Sequence, residues 1–146
     1  MHWQLLTAVL VVAAPAPAED KKKDEEKLQG TWIVVSGERD GMKLPDDKIK
    51  DLKVVIKDDT LTVGDEKTTF KLDAKKKPKT IDLVPIKKDG TKEDMVPGIY
   101  EIDGDDLKMC WAKGGKEADR PTEFATKKDS RNVLFILKRE KPTKDK

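Results

Sequence analysis

Few residues in this chain can do covalent chemistry. Cys110 is the single cysteine and His2 the single histidine. A thiol at Cys110 suggests a nucleophile or an intermolecular disulfide, and its alternation from Met109 and Trp111 turns it to the opposite strand face. The quieter reading is a small-residue role, because no local helix end or confirmed cationic partner lowers its pKa. Asp103, Asp105 and Asp106 cluster hard oxygens of the kind calcium prefers. They lack the spacing and terminal Glu of a calcium loop, and an Asp-Gly hairpin accounts for all three. Paired carboxylates of the glycosidase kind need a cleft and shifted pKa values, and no pattern here supplies them.

The position of His2 decides more. It lies in an opening segment, MHWQLLTAVLVVAAPAPA, that has no Asp, Glu, Lys or Arg. The apolar run from Leu5 to Ala14 is shorter than the ~20 residues a spanning helix needs. It ends in the small-x-small signature Ala16-Pro17-Ala18, so residues 1–18 read as a signal peptide cut after Ala18 and the chain as secreted or periplasmic. Removing 18 of 146 residues leaves 128, without histidine. Neither Ser-His-Asp nor Cys-His catalysis is then available, nor the usual zinc ligands. No glycine-rich phosphate loop occurs. The expectation is no catalytic residues, no metal, no cofactor and no stable membrane span after cleavage.

Charge is dense but balanced, with 31 Lys and Arg against 29 Asp and Glu. The lysine runs Lys21 to Lys23, Lys75 to Lys77 and Lys127-Lys128 mostly sit near acids, so no uncancelled basic face is offered to nucleic acid. Residues 19–27 form a charged leader with helical composition, residues 28–140 one domain, and residues 141–146 a flexible tail. A monomer is expected.

The elements that must position these residues are strands. After Gly30, short apolar alternations are separated by turn residues, an all-β pattern. Eight strands are predicted: Thr31–Ser36, Leu52–Lys57, Thr60–Val63, Lys67–Asp73, Thr80–Ile86, Ile99–Asp103, Leu107–Ala112 and Asn132–Arg139. Trp32 and Val34 share a face, as do Leu107, Met109 and Trp111. The last strand is apolar on both faces. Two long connections, at residues 37–51 and 113–131, are where a site would be sought. The first contains a predicted helical turn over 45–50. In the second, Arg120 and Glu123 either gate an open end or lie in a turn fixed by Pro121, with Phe124 packing on the rim.

Successive antiparallel strands hide their edges by closing into a barrel. Gly30 then lets the leader cross one end, Trp32 plugs that end, and Arg139 late in the last strand stacks on the indole. Gly30-Thr31-Trp32, the meander and the terminal Lys138-Arg139 together resemble the lipocalin and fatty-acid-binding barrel superfamily. More narrowly, LQGTWIVVSGERDGMKLP (28–45), GIYEIDGDDLKMCWAKGGK (98–116), RPTEF (120–124) and LKRE (137–140) are similar to a family of small secreted lipocalin-like domains of planctomycete-type bacteria, uncharacterised in activity. That resemblance implies fold and export and carries no catalytic residues with it.

The predicted architecture is thus an all-β, eight-stranded antiparallel up-and-down lipocalin-like barrel, with short helical turns before the first strand and between the first and second. Tyr100, Met109 and Trp111 are wall candidates for a small apolar or amphipathic ligand, although the aromatic residues could equally be core. The rival is a filled barrel whose long loops bind an exported protein or the envelope; a carboxylate-based hydrolase is a further alternative.

Overall fold

The computed structural model describes residues 17–140. Residues 1–16 of the expected signal peptide, with His2, lie outside the described residues, as does the tail at 141–146. The cut expected after Ala18 falls within a helix, α1 (Pro17–Leu28). The leader at 19–27 therefore lies wholly within a twelve-residue helix rather than a turn or two. An isolated helix this short is marginal in water, and this one is anchored by burying Asp24 and Leu28.

Nine strands follow: β1 (Gly30–Arg39), β2 (Met42–Lys43), β3 (Lys53–Lys57), β4 (Thr60–Val63), β5 (Glu66–Asp73), β6 (Thr80–Ile86), β7 (Val96–Asp103), β8 (Asp106–Ala112) and β9 (Asn132–Arg139). Every neighbour is antiparallel, in the order β2-β1-β3-β4-β5-β6-β7-β8-β9. β9 returns to β1, from Trp32 opposite Arg139 to Arg39 opposite Val133. That pairing closes an eight-stranded barrel and leaves β2 as a short extra strand.

β1 must serve three partners, and a bulge lets it do so. Its first residues, Gly30 to Ile33, pair with β3, and its last, Glu38 and Arg39, pair with β2. The register on β9 shifts between Val34 and Ser36, leaving Val35 unpaired and exposed. A bulge bends and twists its strand, which turns the second half of β1 away from β3.

Several strands differ from the sequence expectation. The first runs on to Arg39, because β9 continues beside it. The connection at 37–51 hides a hairpin. Asp40 and Gly41 have φ of 53° and 76°, and two positive φ angles make the primed turn that suits strand twist. A helical turn, α2 (Asp46–Ile49), then buries Ile49 against the core. β7 starts at Val96, so Pro97 and Gly98 lie inside a strand. The β7–β8 hairpin has Gly104 and Asp105 as its central pair, between Asp103 and Asp106. Only Gly104 takes a positive φ, 61°, so one glycine carries this turn.

Inside, Trp32, Val34, Val54, Ile56, Leu61, Phe70, Leu72, Ile81, Leu107 and Leu137 form one apolar core. Full burial of each such side chain contributes about 1.5–3 kcal/mol before entropy is charged against it. β9 points Phe135 and Leu137 inward to that core. Its other face, with Leu134 and Ile136, joins Ile99, Cys110 and Phe124 in a second, outer cluster. Both faces of β9 are apolar because both are covered.

Candidate ligand site

One end of the barrel is sealed by α1. Trp32, fully buried, donates its indole Nε1–H to the carbonyl of Leu28 at 2.8 Å. The Arg139 guanidinium lies 4.3 Å over the indole ring. It also donates to the carbonyls of Gln29, at 2.6 Å, and of Lys27, and its Nε reaches Asp105 at 3.1 Å. The last carbonyls of a helix have no partners within the helix, so Arg139 and Trp32 together cap α1. A cation is also the favoured charge at that helix end. Gly30 has φ of 118°, and a Cβ there would sit 3.1 Å from the guanidinium. Glycine is therefore required twice over at this position, by backbone conformation and by space.

Deeper in α1, the Asp24 carboxylate accepts from the Tyr100 hydroxyl at 2.7 Å and the Lys79 ammonium at 2.9 Å. Burial, helped by the hydrogen bond to Asp24, pushes the Tyr100 hydroxyl well above its ordinary pKa. Tyr100 thus stands at the sealed end, holding the helix. It is not among the residues that line the cavity at the other end.

That second end carries a cavity of about 220 Å³. Val54, Leu61, Leu83 and Leu137 form its depth, and Val63, Pro85 and Val96 form its rim. Met109 and Trp111 line one wall beside Phe135, whose ring meets the Trp111 ring edge-on at 4.9 Å and 87°. Two polar residues enter the lining, Thr68 and Glu66. Both stand on the inward set of β5, two and four residues before the buried Phe70. Of the three wall candidates, the structure brings Met109 and Trp111 together here and leaves Tyr100 apart. Glu66 gave no signal in the sequence beyond its place in a Gly64-Asp65-Glu66 turn.

Neither long connection contributes to the lining. The 113–131 segment is laid along the outer wall instead. Arg120 donates to the carbonyls of Gly98, at 2.8 Å, and Ile81, at 3.2 Å, and pairs with Asp82 and Glu117. These bonds fasten the segment across β6 and β7. Phe124 covers Cys110, and the Thr126 hydroxyl donates to Glu38 at 2.7 Å and accepts from the Gly41 N–H. Arg120 is thus a clasp on the wall rather than a gate. Cys110, on that outer face and fully buried, has its thiol pushed up to about 11 by burial. A thiol held protonated is a poor nucleophile.

Compared with known protein families, curated proteins and solved structures, the chain matches none. The barrel rests on its own strand pairings, and these are consistent with a lipocalin-like fold.

Proposed function

We propose that this chain is an exported, non-catalytic lipocalin-like barrel that holds one small apolar or amphipathic molecule at its open end. We place it among the small secreted lipocalin-like domains of planctomycete-type bacteria on the combined stretches 28–45, 98–116, 120–124 and 137–140. The observation that carries the binding reading is the 220 Å³ cavity, lined by Leu83, Met109, Trp111 and Phe135 and opening beside the exposed Glu66. An apolar cavity of about 150 Å³ takes up benzene, whereas pockets for drug-sized ligands start near about 300 Å³. The occupant is therefore a single ring or a short chain, not a long acyl lipid.

A non-catalytic role is supported by the nucleophiles on hand: the described residues include no histidine, and burial holds the Cys110 thiol protonated.

Trp111 reports on occupancy, because it lines the cavity while Trp32 is sealed at the far end. Titration with one-ring lipophiles should give saturable quenching that the Trp111→Phe variant loses. Silence across the panel, in fluorescence and in thermal shift, overturns the binding reading and favours the interaction module.

A further inference from the structure

We infer that the open-end cavity selects a small organic cation, a primary amine on a one-ring apolar body, over neutral or anionic molecules of equal size. The inference rests on the cavity reading and adds the charge of the ligand. Glu66 is the one charged residue in the lining, and no Lys or Arg lines it. Its position on β5 is inward, in step with Thr68, Phe70 and Leu72. Among the described residues Glu66 joins no ion pair. The carboxylate is thus at the mouth of an apolar cavity, with its charge uncommitted.

Chemistry then ranks the guests. An ammonium at the mouth meets Glu66 while staying half in water, so its desolvation cost is small compared with that of a buried ion pair. Its ring lies against Trp111 and Phe135, where aromatic contact adds to the apolar one. A neutral isostere keeps only the apolar contacts. A carboxylate of the same size meets a like charge with no basic side chain to offset it. The site therefore lacks the cationic anchor that an acidic lipid would need.

The test is calorimetric titration of the full chain and its Glu66→Gln variant with phenethylamine, phenethyl alcohol and phenylacetate at low ionic strength. The amine should bind about 10-fold tighter than the alcohol, a difference of about 1.4 kcal/mol, and phenylacetate should bind weakest. Glu66→Gln should abolish the preference for the amine while leaving the alcohol unchanged. Alcohol binding as tight as amine, or a preference that survives Glu66→Gln, overturns the charge inference and leaves the cavity reading standing. Failure of all three probes in both proteins overturns both.

Discussion

Replacing Arg139 with methionine keeps an unbranched stem beside Trp32 and removes the guanidinium that joins strand, indole and helix. Three losses follow from the geometry. The stacking at 4.3 Å is a cation–π contact of about 1 kcal/mol. The donations to Lys27 and Gln29 are charge-assisted, and such bonds reach about 1.5–3 kcal/mol when buried. The Arg139 side chain is 28% exposed, so about 1 kcal/mol each is the fitting discount. The Asp105 pair is solvated on its acidic side and adds at most about 0.5 kcal/mol. The sum is about 3 kcal/mol. At roughly 4 °C per kcal/mol for a domain of this size, the melting midpoint should fall by about 12 °C. Denaturant unfolding should show a lower midpoint at unchanged slope. Hydrogen exchange should speed up in α1 before it does in the strands, since the helix loses its cap first. A loss under about 1 kcal/mol, with α1 exchange unchanged, would refute the idea that Arg139 holds the helix to the barrel.

Gly30→Ala should cost about 2 kcal/mol, because the residue sits at positive φ and its new methyl crowds Arg139; a destabilisation under about 0.5 kcal/mol in thermal melts would be too small for that strain. Alkali should loosen the fold with a defined sign. Burial raises Cys110 to about 11, and Tyr100 rises as well. Both groups hold protons in the folded state that the unfolded chain releases, so stability is full below about pH 9 and falls as pH climbs toward about 11. Cys110 accounts for about 2 kcal/mol of that fall, and urea midpoints of Cys110→Ala should depend less on pH than those of the parent over the same range. The proposed export predicts that protein from the native host begins at Glu19 on amino-terminal sequencing; a chain that keeps residues 1–18 contradicts export by cleavage.

The barrel was legible because its strands alternate with period two, and its closure because an aromatic residue at the first strand and a cation at the last are both visible in sequence. Hidden features had local causes. Asp40-Gly41 is a hairpin signal, but β2 has only two residues, too few to show alternation. Pro97 disguised the start of β7, since proline within an apolar run normally argues against a strand. The apolar outer face of β9 made sense only with Phe124 laid over it, a contact from a segment without periodicity. The site was half legible. Met109 and Trp111 declare their shared face by spacing, whereas the place of Tyr100 along the barrel axis depends on Asp24, 76 residues away. Glu66 looked like any turn carboxylate, because only the closed cylinder puts it at the lip of an apolar space.

The most direct test is a crystal of the protein under xenon pressure, because xenon enters empty apolar cavities without needing a polar partner. The account predicts a xenon peak enclosed by Leu83, Met109, Trp111 and Phe135 at the open end. A lattice of well-ordered barrels with those side chains packed against one another, and no xenon between them, would contradict it.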